Sequence, residues 1–227
     1  MNKMLPLFLF TLLAFNTAYA AKGSSCNDID SCIKIVSKLT GKSYVYTEKL
    51  KGSVSMTDEF TLNENNADSI MSKILNLNGY TRIPLTEDDG YMVVNARDIR
   101  YTPTPLIHAS KDEAPALPDN FDYHQMMYQP KEADPVQMLE FTRSIRPFLS
   151  RYGRVISPKT EGPMIIQDTA INLKRIHKIL VQYDRKLSKE ERKRREEWRK
   201  RDYEIKKLEA KNCASKKEVI KEYLNKK

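Results

Sequence analysis

Between Gly41 and Val94 short β-prone runs alternate with one helical run in a fixed order, and that order limits the fold more than any single residue does. Tyr44, Val45 and Tyr46 form the first run, the stretch EKLKG turns the chain at Lys51-Gly52, and Val54 and Met56 alternate with Ser53 and Ser55 as a half-buried strand would. Ala67, Ile70, Met71, Ile74 and Leu75 then recur at helical spacing after the polar run Asn63 to Asn66. Gly79 stands where a left-handed C-terminal cap is wanted. Tyr80 to Pro84 and Tyr91 to Asn95 make a hairpin around TEDDG. Upstream, Ile29, Cys32, Ile33, Val36 and Leu39 define the inward face of a further helix that Asn27 or Asp28 can cap.

A boundary follows. Residues 100–121 carry Pro103, Pro105, Pro115 and Pro118 among charged and small residues, the composition of a linker. Beyond it YHQMMYQ reads as a strand, and Asp134-Pro135 opens a helix with a capping carboxylate before a proline at the first helical position. Val136, Leu139, Ile145, Phe148 and Leu149 are expected on its apolar face, with Gly153 as its stop. GRVIS and PMIIQD follow as strands joined by Pro158 to Gly162, and Leu173, Ile176, Ile179, Leu180 and Tyr183 line a last helix ending at Asp184. The predicted class is α/β (α+β), two small sandwich domains in tandem over 21–99 and 122–185, followed by a charged helical tail over 186–227.

The N-terminus has the pattern of a secretory signal over residues 1–20: Lys3, an apolar run from Leu5 to Phe15, then Ala18-Tyr19-Ala20. That run is too short to span a bilayer, so an exported, soluble mature chain is expected, an uncleaved signal anchor being the alternative. A lipidation box is not met, because Cys26 follows Gly23-Ser24-Ser25. Export opens two readings of the early cysteines. Cys26 and Cys32 can form a disulfide across the start of their helix, or Cys32 is a buried thiol and Cys26 is free. Cys213 is left over, either free or bridged to another chain.

The segments SYVYTEKLKGSVSM, LNENNADSIMSKILNLNGY and GYMVVNARD resemble, in order and near spacing, the first periplasmic domain of the secretins. Secretins are the outer-membrane ring proteins of type II secretion and type IV pilus machines. The same small domain resembles the signalling domain of some TonB-dependent receptors. In the second half, SIRPFLSRYGRVIS and GPMIIQDTAINLKRIHKILVQYD resemble the repeated ring-building domain of secretins, through Ile145 to Leu149, Ile165 to Asp168 and the closing Asp184. The βαββα order is also that of KH domains, but the Gly-x-x-Gly loop that clamps a nucleic-acid backbone is absent. Two departures stand out. The opening strand of the family's first domain has only AKGSS to form it, and the family's barrel has no counterpart after Arg185, so this chain is not expected to be a pore by itself.

The resemblance implies a periplasmic, non-enzymatic protein-interaction module, associated with the outer membrane through a partner. Its first domain would dock an inner-membrane platform protein or a barrel subunit by strand addition, with Tyr44, Val45, Tyr46, Val54 and Met56 as the candidate edge. Its second would pack into rings, with Arg143, Arg146 and Arg151 as candidate contacts. A receptor-coupling module and a periplasmic nucleic-acid binder are the competing readings.

The tail carries seventeen Lys and Arg against nine Asp and Glu, so the chain's net charge of +9 resides almost wholly there. Ser188 with Glu191 makes a capping box, and acid–base pairs four apart support a helix to about Lys211 ending at Asn212, with a second short one from Ser215. Trp198, Ile205 and Leu208 give it a thin apolar seam for docking, against a plain solvated helix or a phosphate-attracting one. No nucleotide loop, nucleophile elbow or zinc pattern is present, His108, His124 and His177 share no ligand spacing, and no cofactor or small-molecule substrate is expected.

Overall fold

In the computed structural model the described residues are 26–55, 62–85, 89–157 and 162–225, with side chains described as far as Lys211. The signal sequence, Met56 and most of the TEDDG turn lie outside them, as does the side chain of Cys213. The chain forms two compact units, one comprising the residues up to Arg100 together with Asn120–Asp122, the other Tyr101–Asp119 with Tyr123 onward.

In the first unit Asp28 starts helix α1 (Ile29–Thr40): its carboxylate accepts from Ser31 N at 2.9 Å while Ser31 Oγ accepts from Asp28 N at 3.3 Å. Two of the helix's orphan donors are satisfied reciprocally. Ile29, Cys32, Ile33 and Val36 are buried, at the three- and four-residue spacing that keeps side chains on one helical face. A disulfide joins Cys26 to Cys32 and closes the chain onto that face. Strand β1 (Ser43–Val45) and helix α2 (Ala67–Leu77) follow. Gly79, φ +81°, then turns the chain into β2 (Tyr80–Pro84) and β3 (Gly90–Asn95). The sheet order is β1-β3-β2, with β3 parallel to β1 and antiparallel to β2. Ala67, Met71, Ile74 and Leu75 of α2 meet α1 and Val93 in one core.

One expectation fails here. Ser53 to Ser55 is no strand of the sheet; Ser53 makes a single antiparallel bridge to Asp28, and Val54 N donates to Asn27 O at 3.0 Å. On one side of that bridge pairing is ended by α1, which begins at Ile29. Gly52 is fixed by crowding, since a Cβ there would run into the Asn78 side chain and Ile29 Cδ1.

The second unit opens earlier than its composition suggests. Residues 100–121 are no plain linker: they contain β4 (Leu106–Ser110), paired in parallel with β5 (Tyr123–Gln129) from Leu106↔Gln125 to Ser110↔Gln129. The prolines flank the strand instead of interrupting it, so its N–H groups remain free to pair. Helix α3 (Pro135–Ile145) has Asp134 as its cap, accepting from Gln137 N at 2.7 Å. Its buried face is Gln137, Met138, Phe141, Thr142 and Ile145, one position off the expected one, with Val136 and Phe148 exposed. The helix stops at Ile145 rather than at Gly153, because Arg146–Phe148 tightens into a 3₁₀ turn around Pro147. Strands β6 (Arg154–Ile156) and β7 (Met164–Thr169) and helix α4 (Ala170–Tyr183) complete a sheet of order β4-β5-β7-β6. Met126, Tyr128, Met138, Phe141, Met164, Ile166, Leu173, Ile176 and Leu180 form the core. Helix α5 runs unbroken from Lys189 to Asn225, so the expected end at Asn212 is not seen.

Candidate functional site

The least expected feature is Arg82, in the middle of β2, whose side chain is wholly buried in the first unit. Its Nε donates to both carboxylate oxygens of Asp122 at 3.0 Å, Nη1 to Tyr44 Oη and Asp68 Oδ1 at 2.9 Å, and Nη2 to Asp68 Oδ2 at 2.7 Å. The Tyr91 ring centroid lies 4.0 Å from the guanidinium carbon. Lys42 Nζ reaches Asp68 at 3.2 Å, and Asn120 Nδ2 reaches Asp122 at 2.7 Å. A buried guanidinium is tolerable only when its donors are matched in this way, and its planar fork suits two carboxylates. Burial, outweighing the opposing charge of Arg82, pushes the Asp122 carboxyl up to about 6. Burial works against the charged form of Asp68 too, but the hydrogen bonds and charge of Arg82 prevail and hold it below the usual carboxylate range. Burial, opposed by Arg82, pushes the Tyr44 phenol up to about 12.

This network anchors β1 from behind. Tyr44 points its hydroxyl at Arg82 and packs its ring 5.6 Å from that of Tyr91, while Val45 on the opposite face is exposed. Among the described residues β1 is bonded to β3 alone and is an edge strand of its sheet, with a row of backbone groups that no described strand pairs. Tyr44 and Val45 therefore share that edge, with half-buried Tyr46 just beyond it. Val54 is set apart, bonded to the residue before the α1 cap.

In the second unit two buried carboxylates hold the loops around α3. Asp184 accepts from the backbone N–H groups of Lys131, Glu132 and Ala133 at 2.7 to 2.8 Å and from Tyr128 Oη at 3.1 Å. Burial opposes its charge, yet these bonds hold its carboxyl below the usual range. Asp168 accepts from Ser150 N at 2.9 Å and Asn172 Nδ2 at 2.7 Å, and Asn172 also donates to Phe148 O at 3.0 Å. The turn between them carries Arg146 and Arg151, and α3 carries Arg143; all three are exposed. They lie on the α3 end of the unit, spread over a helix, a 3₁₀ turn and a loop.

Helix α5 is fixed at its start. Ser188 and Glu191 form the capping box, Arg185 grips Glu191 with both terminal nitrogens at 3.0 and 2.7 Å, and Arg195 Nε lies 3.0 Å from Glu140 on α3. Trp198, Ile205 and Leu208 are exposed. The histidines fall on three elements: His108 on β4, His124 on β5, and His177 on α4 with Nε2 2.8 Å from Ser110 O. Among the described residues no group of three or more His, Cys, Asp or Glu could hold a metal ion, and no helix is long and apolar enough to cross a membrane.

The sequence offers no advance sign of the Arg82 network, because Arg82 alternates with Thr81 and Ile83 like any solvent-facing strand residue and its partner Asp122 lies 40 positions away. Asp184 is visible in the sequence as the end of a helix and as the closing residue of the family resemblance, but its bonds to the Lys131–Ala133 backbone are not.

Residues 25–96 match the family model described as "GspD-like, N0 domain". Secretin XcpQ of Pseudomonas aeruginosa is 23% identical over 159 residues, which are 70% of this chain and 22% of that protein. Among solved structures, the Klebsiella pneumoniae type II secretion system outer membrane complex, with PulD, PulS and the PulC HR domain, is similar at TM-score 0.54 and 20% identity. That match covers 73% of this chain and 26% of the other. The N0 domain of the type II secretin from enterotoxigenic Escherichia coli is 25% identical over 32% of this chain and 89% of that one, TM-score 0.28. The chain is thus similar to secretins in sequence over 70% of its length, with the N0 match at residues 25–96, and in fold over 73% of it.

Proposed function

We propose that this protein is a non-enzymatic, periplasmic protein-interaction module of a type II secretion apparatus, working through the two α/β units as the N-terminal domains of a secretin do. The observation that carries the reading is the match of residues 25–96 to the GspD-like N0 domain. The first unit docks a platform or outer-membrane component of the machine by strand addition at β1. Support comes from the open edge of β1, the exposed Val45, and the rigid backing that Arg82 gives to Tyr44. Strand addition needs an edge that holds its shape before the partner arrives, since ordering it afterwards would weaken binding. The second unit packs against copies of itself, with Arg143, Arg146 and Arg151 at the contact; their exposure beside a sheet whose last strand, β6, is three residues long supports this.

The test is photocrosslinking in intact envelopes of the source cell, with a photoreactive residue at position 45 and a control at exposed Leu77 on α2. The expected result is a crosslink from position 45, and none from 77, to a secretin barrel subunit or a platform component. Recovery of no secretion component, or equal capture from both positions, overturns the docking role. Charge reversal of Arg143 and Arg146 is expected to reduce self-association in sedimentation velocity; unchanged sedimentation overturns the ring role.

A further inference from the structure

The edge strand of the first unit is braced by residues from far along the chain. The continuous run of that unit ends at Arg100, and Asn120–Asp122 rejoin it before the chain leaves again at Tyr123. Phe121 N donates to Ser72 Oγ on α2 at 3.0 Å. Asn120 Nδ2 donates to the Asp122 carboxylate at 2.7 Å, and Asp122 N donates back to Asn120 Oδ1 at 3.2 Å. Asn120 and Asp122 are both buried. The return thus brings a carboxylate, already oriented by its own neighbour, to Nε of Arg82. From the same guanidinium Nη1 donates to Tyr44 Oη at 2.9 Å.

Tyr44 has a second task, set by the register of β1. Ser43 N donates to Asp89 O at 3.2 Å, and Ser43 pairs with Gly90. In a parallel pair alternate residues turn their N–H and C=O to the same neighbour, so Ser43 and Val45 bond to β3. The N–H and C=O of Tyr44 therefore lie on the outer side of β1, where no described strand pairs them. A strand added there bonds to the main chain of the residue whose side chain Arg82 holds. Without Asp122, Nε of Arg82 loses its acceptor, and a planar fork that turns to find another gives up the aim of Nη1 at Tyr44. Asp68 is already engaged by Nη1, Nη2 and Lys42.

We propose that Asp122 is a positioning residue for docking: through Arg82 it holds Tyr44 in the extended conformation that an incoming strand meets. This role rests on docking at β1 and makes that docking conditional on the return of residues 120–122. Coupling between two sites is reciprocal, so a docked strand and a seated Asp122 each strengthen the other.

The experiment uses the mature chain, with amide hydrogen exchange read residue by residue by NMR. Asp122→Asn removes one acceptor and sets an NH2 group beside Arg82. It is expected to speed exchange at Ser43 and Val45 about tenfold or more, with Met71 and Leu75 of α2 changing by less than about threefold. Asn120→Ala loosens Asp122 without touching Arg82 and is expected to act on the same two amides more weakly, which keeps the test decisive if Asp122→Asn does not fold. Tyr44→Phe cuts the link, so adding Asp122→Asn to it is expected to change Ser43 and Val45 by less than about threefold. Exchange that rises equally in β1 and α2, exchange that rises in neither, or an undiminished effect of Asp122→Asn in the Tyr44→Phe chain would each overturn the proposal. The crosslink from position 45 is expected to weaken with Asp122→Asn by a similar factor, since apparent affinity falls with the competent fraction. An unchanged crosslink overturns the control of docking by Asp122. No crosslink from the wild type overturns docking itself, and the exchange pattern of the free chain tells that failure apart from a failure of the Asp122 link.

Discussion

Arg82 and Asp184 show two ways in which one buried charge can organise a small unit. Arg82 gathers Asp68, Asp122 and Tyr44 around a single guanidinium, and removing it leaves two carboxylates facing each other without a cation between them. Arg82→Ala is expected to cost about 3–5 kcal/mol in urea unfolding, the range for breaking a buried pair from one side. A loss under about 1 kcal/mol would mean that water reaches the site. Asp184 does the reverse, one carboxylate serving three backbone donors. Its folded carboxyl lies below the ordinary value of 3.8, so its contribution is fully present above that value and is lost as pH falls through the folded one. Asp184→Asn is expected to lower stability at pH 7 by about 1–3 kcal/mol and to flatten the decline below about pH 4. A variant that follows the wild-type profile in that range contradicts the assignment.

At the scale of elements, the disulfide and β4 are the informative cases. Cys26 and Cys32 are six positions apart and both buried, so their bond restrains the residues that bridge to Ser53 as well as the start of α1. Replacing both by Ala is expected to cost about 2–3 kcal/mol by loop entropy, read as a lower midpoint that reductant no longer affects. β4 tests the difference between a linker and a strand. Ile107→Pro removes a donor and imposes a ring on a five-residue strand, and about 1–3 kcal/mol should be lost, with faster amide exchange along β5. No change in either would return 100–121 to the role of connector. The helices α1, α2, α4 and the start of α5 were legible in the sequence because their apolar spacing, caps and stops are local. The face of α3 was not, since Met138 and Phe141 against Val136 and Leu139 is a choice of rotation that the neighbouring sheet makes. β4 was hidden because a five-residue strand set among prolines carries too little pattern to outweigh composition.

For the whole molecule, two separate cores mean two unfolding events. Urea titration of the intact chain should show two transitions, with Arg82→Ala moving only one and Asp184→Asn only the other. A single transition shifted by either substitution would show the units to be one cooperative body. The candidate surfaces divide in the same way. Tyr44 and Val45, the three arginines around α3 and the seam of α5 could all be picked out from the sequence as residue types, but Val54 stood with them only by apparent alternation. By itself the sequence determined the order of helices and strands, the secretin-like character of the first unit, and the concentration of positive charge in the tail, because periodicity, caps and charge are properties of neighbours along the chain. Only the tertiary structure decided that β1 runs parallel to β3 and forms an edge, that Asp122 returns to the first unit to meet Arg82, and that β4 joins the second sheet. Each of these depends on which distant segments meet, and the free energy of such meetings is set by burial and matched charge that no local stretch of sequence contains.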